Sequence, residues 1–194
     1  MTQPEKLRVA DFGGSVEGIE NSSGHSMYKD ISIDWSRPRI WERYEPAPVE
    51  EFERGRSYLY VLLRNHGRSN SKDRIAYVGI TKNLNTRFAN HPVARKLANM
   101  RGETKLSVGE VDFGPYHHKR GTRPSIEQIE HLLIWALGPT ENTRKNFTLP
   151  GMGANAGRAW HLKNTGYRFS GQMPLEIVYP WMLIKPGRNR AAKS

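Results

Sequence analysis

The residues best suited to chemistry follow one short apolar segment, Ala76-Tyr77-Val78-Gly79-Ile80-Thr81, trailed at fixed distances by Arg87, His91, Glu130 and Asn142. A strand, a polar turn and then a cation at helical spacing point to chemistry on a phosphate. Hydrolysing a phosphodiester requires an activated water, charge stabilisation on the phosphoryl oxygens and help for the leaving oxygen. Arginine offers a planar fork that matches phosphate geometry. Glu130 is a hard oxygen ligand suited to one Mg²⁺ or Mn²⁺ in a Lewis-acid role, and a single well-placed carboxylate favours one ion over two. A tyrosine, with an ordinary pKa of about 10, is a general base only where nearby cations favour the phenolate. Arg87, Lys82 and the metal are the candidates for that role.

These side chains need elements to carry them. Tyr58 to Leu63 is apolar on both faces, as expected of a buried strand, and Asn65 to Asp73 reads as a hairpin loop. A second strand covers about Arg74 to Ile80. Asn83 is then an N-cap for a helix with Leu84 and Phe88 at i and i+4. Arg87 and His91 are also four apart, which places them on one side of that helix, with Pro92 ending or kinking it. A basic amphipathic stretch, Val93 to Met100, leads to a third strand around Leu106 to Phe113. The next helix starts near Ser125, which with Gln128 makes a capping-box pattern, and runs to about Leu137. Glu130 falls at the edge of its apolar arc, where an unpaired charge is costly, so it is expected to meet a cation, a metal or a polar cluster. A final apolar stretch, Leu175 to Ile184, is positioned to add a strand.

Composition fixes the partner class. The 194 residues carry a formal charge of +11 with a pI near 10.0, which favours a polyanion, nucleic acid first. The charge is uneven: residues 1 to 53 hold 6 Lys/Arg against 11 Asp/Glu, and residues 54 to 194 hold 24 against 8. The first segment, with its Trp35, Trp41 and Tyr44 patch and Glu45-Pro46-Ala47-Pro48, reads as an acidic arm and linker. It is expected to cover the basic surface or to mediate a homodimer. No cysteine is present, which excludes disulfides, thiolate nucleophiles and Cys-type zinc sites. No apolar run approaches the roughly 20 residues of a spanning helix, and the N-terminus lacks a signal-peptide pattern, so a cytoplasmic protein is expected.

The ordered set resembles the GIY-YIG nuclease family. Its first triplet corresponds to Tyr58-Leu59-Tyr60 and its second to Tyr77-Val78-Gly79, with Arg87 ten residues after Tyr77 and His91 one turn further. Glu130, nine residues before Pro139 and twelve before Asn142, is similar to the family's Glu-to-Asn spacing. The resemblance covers about residues 57 to 147. It implies an α+β core, a small three-stranded, mainly antiparallel sheet flanked by helices, spanning residues 54 to 147 and extended by a basic C-terminal segment, 148 to 194. It also implies a metal-dependent endonuclease acting on double-stranded DNA. Tyr60 would be the general base, Tyr77 a positioning or relay group, and His91 would orient or deprotonate Tyr60. Arg87 would hold the phosphate, Glu130 one Mg²⁺ or Mn²⁺, and Asn142 would belong to the shell that fixes Glu130. Two positions depart from the pattern: Tyr58 stands where the family has glycine, and Ile80 where many members have lysine, which Lys82 is placed to replace.

Taken singly, these residues have plainer readings: core tyrosines, a solvated Arg-His face, and a rim glutamate paired with a nearby arginine. Glu127 and His131 at i,i+4 read as a surface pair, His117-His118 as an exposed loop, and Gly151 to Gly157 as a flexible or DNA-contacting turn. Base readout is expected from insertions 65 to 73 and 114 to 123, with phosphate contacts from Lys82, Arg144, Lys145, Arg158, Lys163 and Arg168. The family's core serves restriction, mobile-element or phage, repair and secreted antibacterial DNases alike. A compact chain without a separate DNA-binding module favours a standalone bacterial or phage enzyme; a restriction-type or mobile-element/phage role is the expectation, with a secreted antibacterial DNase toxin or a repair nuclease as the alternative. The competing classes are a non-catalytic nucleic-acid binder with a decayed site and a structural protein of a ribosome or phage particle.

Overall fold

A computed structural model describes residues 23, 28–41, 57–66, 72–114, 123–148, 159–179 and 183–185. Most of the expected arm, the tip of the 65 to 73 loop, His117-His118, the Gly151 to Gly157 turn and Arg158 lie outside the described residues.

The strands are β1 (Tyr28–Trp35), β2 (Arg39–Ile40), β3 (Tyr58–Asn65), β4 (Arg74–Thr81), β5 (Glu103–Asp112), β6 (Ala159–Gly166), β7 (Glu176–Tyr179) and β8 (Leu183–Lys185). Among the described residues they form one sheet of eight strands in the order β4-β3-β5-β1-β6-β7-β8, with the two-residue β2 beside β5. Pairings are antiparallel except β1 with β6. The described residues also form three α-helices: α1 (Leu84–Ala89), α2 (Pro92–Asn99) and α3 (Arg123–Leu137).

This corrects the expected three-stranded sheet flanked by helices. Only β4-β3-β5 corresponds to it, and the sheet continues through residues expected to be appendages. In β1, Ile31, Ile33 and Trp35 are buried while Ser32 is half-buried and Asp34 exposed, the alternation of a strand with one face on a core. It pairs with β5 on one side and β6 on the other, so the segment read as an arm supplies a central strand. The long α-helix also starts earlier than the Ser125 cap, at Arg123.

Alternation along the β3-β4 hairpin divides the core. Leu59, Val61, Leu63, Ile75 and Val78 join Ile129, Leu132 and Leu133 of α3 in one cluster. Tyr58, Tyr60, Leu62 and Ala76 face the other way, onto Leu84 and Phe88 of α1 and Ala94 and Leu97 of α2. The register shifts between Leu62, opposite Tyr77, and Leu63, opposite Ile75, leaving Ala76 as the extra residue of a β-bulge.

The bulge switches which peptide groups of β4 point outward, and each of those below has a partner. Val78 is bonded at both N and O by the Asn142 amide, at 2.9 Å each. The Ala76 carbonyl accepts from the Glu141 N–H at 2.9 Å, and the Ile75 N–H and Asp73 carbonyl meet the Gln172 amide at 3.1 and 2.9 Å. Gln172 reaches β4 because the turn at Phe169–Gly171, which follows β6, crosses the α3-side core, and Tyr167 beside it donates to Asp73 Oδ2 at 2.7 Å. The first and fifth strands of the sheet order are thereby tied across one curled face.

Candidate active site

The chain turns sharply at the end of β4. Thr81 Oγ1 accepts from the Asn83 N–H at 3.1 Å and donates to the Asn83 carbonyl at 2.9 Å. Asn83 then caps α1 as expected, its Oδ1 accepting from the Thr86 N–H at 3.0 Å. This short helix ends at Ala89, so Arg87 sits in its last turn, the side chain directed back over β3. His91 is not four residues along the same helix as the spacing implied. It is the N-cap of α2, with Pro92 as the first helical residue, where a missing N–H is harmless.

Arg87 and His91 nevertheless converge on one atom. Tyr60 Oη lies 2.8 Å from His91 Nε2 and accepts from Arg87 Nε at 3.2 Å. His91 Nδ1 accepts the Ala94 N–H at 3.3 Å, so the neutral ring carries its proton on Nε2 and donates it to Tyr60. Burial, reinforced by the Arg87 charge, lowers the His91 pKa to about 4, which keeps the ring neutral near pH 7. Burial, with Tyr77 acting in the same sense, raises the Tyr60 phenol well above its ordinary value, and Arg87 opposes that without offsetting it. Tyr60 is 0 % exposed and His91 1 %. The geometry is therefore that of a histidine orienting a neutral tyrosine, with both ring nitrogens occupied.

Tyr77 stacks beside Tyr60, ring centroids 6.1 Å apart, and stands edge-on to His91 at 5.0 Å, yet it remains half-buried. Gly79, opposite Tyr60 across the hairpin, makes room for both rings. A Cβ there would lie 2.5 Å from Tyr60 Oη and 2.7 Å from Tyr77 Cε1.

Arg87 also lines an open cleft of about 440 Å³ with Ile80, Thr81, Lys82, Glu127, Glu130 and Lys145. The tyrosine pair and Glu130, carried on opposite sides of the sheet, thus meet at the end of β4 through one guanidinium. Glu130 does find a cation: Lys145 Nζ donates to its Oε2 at 2.7 Å. Lys145, expected to contact phosphate, instead neutralises the carboxylate in this structure. Glu127, expected only as a surface partner of His131, lies one turn before Glu130 and lines the cleft; the i,i+3 spacing on α3 was the available signal. His131 bonds Thr148, at 2.7 Å to the carbonyl and 3.1 Å to Oγ1.

Asn142 is not at the Glu130 carboxylate but on the Val78 peptide, which locks the loop carrying Lys145 to the edge of β4. Its bonds are buried, so Asn142→Ala is expected to destabilise the fold by about 2 to 3 kcal/mol. Urea unfolding checks this; an unchanged midpoint would contradict the bracing role. Lys82 is exposed on the cleft rim. Arg144 is exposed next to Lys145. Lys163 lies on β6, 3.6 Å from Asp30 Oδ2, and Arg168 follows β6 at the turn. β6 is separated from β4 by three strands in the sheet order.

Glu130 and Glu127 are the hard oxygen donors from which a hydrated divalent ion would take its protein ligands, set in the lining beside three cations, Lys82, Arg87 and Lys145. Among the described residues no group of three or more His, Cys, Asp or Glu could enclose a metal. No helix among them is long and apolar enough to cross a membrane. No family model, curated protein or solved structure matches the chain, so the site is read from its own residues.

Proposed function

We propose that the protein is a metal-dependent endonuclease of the GIY-YIG type that hydrolyses phosphodiester bonds in double-stranded DNA. The observation that carries this reading is Arg87, which joins the buried Tyr60-His91 pair to a cleft that also holds Glu130. In it, His91 and Tyr60 fix the guanidinium by two hydrogen bonds in series. Arg87 then presents its remaining N–H groups to the non-bridging oxygens of a scissile phosphate. Tyr77, the tyrosine that is not closed off, takes the proton-accepting role expected of Tyr60. Glu130, with Glu127 beside it, would hold one Mg²⁺ or Mn²⁺, which when bound supplies Lewis-acid stabilisation of the phosphoryl charge. The basic balance of residues 54 to 194 draws the polyanion to the surface, and Lys82 lies on the cleft rim where the backbone would pass. A cytoplasmic restriction-type, mobile-element or phage role is the biological setting we infer.

The test is cleavage of supercoiled plasmid by the purified protein with Mg²⁺ or Mn²⁺. Nicking or linearisation, lost with EDTA and with Glu130→Ala, is the expected result. Intact plasmid across metals, DNA and RNA would overturn the enzyme in favour of a nucleic-acid binder, whereas cleavage indifferent to Glu130→Ala would overturn the site. Mapping the cuts on random-sequence DNA then separates defined sites, as in restriction, from the scattered cuts of a toxin or repair nuclease.

A further inference from the structure

Lys145 is placed with unusual care for a loop lysine. Its backbone is in the left-handed region, at φ 70°, which disfavours a side chain with a Cβ and persists only where the surroundings hold it. The surroundings do hold it: Asn142 clamps Val78, the Glu141 N–H bonds Ala76, and the Asn146 amide donates to the carbonyls of Pro139 and Asn142. The Glu141 carboxylate further accepts from Lys96 of α2 at 2.8 Å. The result is an ammonium seated on Glu130, whose side chain is only 12 % exposed, with the lysine itself 35 % exposed toward the cleft.

We propose that Lys145 is an exchangeable counter-cation: it neutralises Glu130 in the metal-free cleft and, when a divalent ion claims that carboxylate, swings to a DNA phosphate beside Arg87. This rests on the nuclease reading of the cleft. A partly buried carboxylate is costly without a cation, and although Lys145 occupies only Oε2, a divalent ion on either oxygen of Glu130 repels an ammonium held a few ångströms away. Metal and lysine therefore compete, and the ammonium released stays within the reach of its side chain from the same cleft. The exchange also supplies the cation absent at Ile80, from a residue remote in sequence but in contact with Glu130 and lining the same cleft. Lys145 is in this sense a counter-ion for Glu130 and a contact residue for the phosphate, in alternation.

Two measurements on the full chain test it. Mn²⁺ affinity without DNA, read by calorimetry, should tighten about three- to tenfold in Lys145→Met, the range a partly exposed ion pair supports, and stay near wild type in Lys145→Arg. Glu130→Gln should remove that Mn²⁺ binding. Affinity for a short duplex, measured against salt, should be the same for wild type and Lys145→Met without metal. With Ca²⁺ present the wild type should show a log-log salt slope steeper by about one phosphate contact. Equal Mn²⁺ affinities in wild type and Lys145→Met, or no Mn²⁺ binding by either, would overturn the proposal, as would equal slopes with Ca²⁺. Neither readout uses cleavage: a protein that shows the exchange but leaves plasmid intact refutes the nuclease reading alone, and one that cuts DNA without the exchange refutes only the role given to Lys145.

Discussion

Gly79→Ala is expected to lower DNA cleavage by roughly 10²- to 10³-fold and to destabilise the fold by about 1 to 3 kcal/mol. The added methyl would sit 2.5 Å from Tyr60 Oη and 2.6 Å from Cζ, which no real contact tolerates. The Tyr60 ring cannot yield cheaply, because it is fully buried and packs against Phe88 at 5.2 Å and His91 at 5.9 Å. Any shift that relieves the clash pulls Oη off His91 Nε2 and Arg87 Nε together. Arg87 then loses the anchor that aims it into the cleft. Plasmid nicking rates and urea unfolding measured on the same preparation check both parts. Near-normal cleavage by a folded Gly79→Ala protein would show that the Tyr60 anchor does not set the position of Arg87.

The closeness of Gly79 to the two tyrosine rings is visible only in the folded molecule, whereas other parts were legible in the sequence. The β3-β4 hairpin, the Asn83 cap and a helix through Glu130 each leave a local mark: a doubly apolar run, a capping side chain, a 3.6-residue periodicity. β1 leaves a mark as well, in Ile31, Ile33 and Trp35, but it is short and set among Gly, Ser, Asp and Glu. Its partner β6 lies more than a hundred residues away, and nothing local in either strand names the other. The sheet therefore came out much wider than expected. In the site, the residue types were legible and their mechanical relations were not. Arg87 and His91 four apart suggested one helix face, yet Pro92 breaks the helix between them and makes His91 a cap. Asn142 was identified by its spacing from Glu130, while its actual bonds run to a strand edge 64 residues earlier.

Acid should destabilise the protein through His91 by about 3 kcal/mol between pH 6.5 and pH 4. The sign follows from burial and the Arg87 charge, which lower the folded-state pKa to about 4 against an unfolded value of about 6.5. Between those values the unfolded chain binds a proton that the folded chain refuses. The contribution is complete above pH 6.5 and is lost as pH falls toward 4. Asn at this position retains an acceptor for the Ala94 N–H but does not titrate. Unfolding free energies measured from pH 7.5 to 4 should thus fall more steeply for wild type than for His91→Asn. Parallel curves would place the protonation of His91 outside the fold's acid sensitivity.

The bulge at Ala76 and the partners it recruits have a consequence for how the cleft opens. β4 ends the sheet by topology, and end strands ordinarily fray first, since one row of their amides exchanges freely with solvent. Here the amides of Ile75 and Val78 are held by side chains of Gln172 and Asn142, from two distant stretches of the chain. Peeling β4 away requires the crossing turn after β6 and the loop after α3 to release together. The strand that bears Tyr77 and Gly79 is in this respect as cooperative as an interior one, and the cleft at its end stays shaped until much of the domain unfolds.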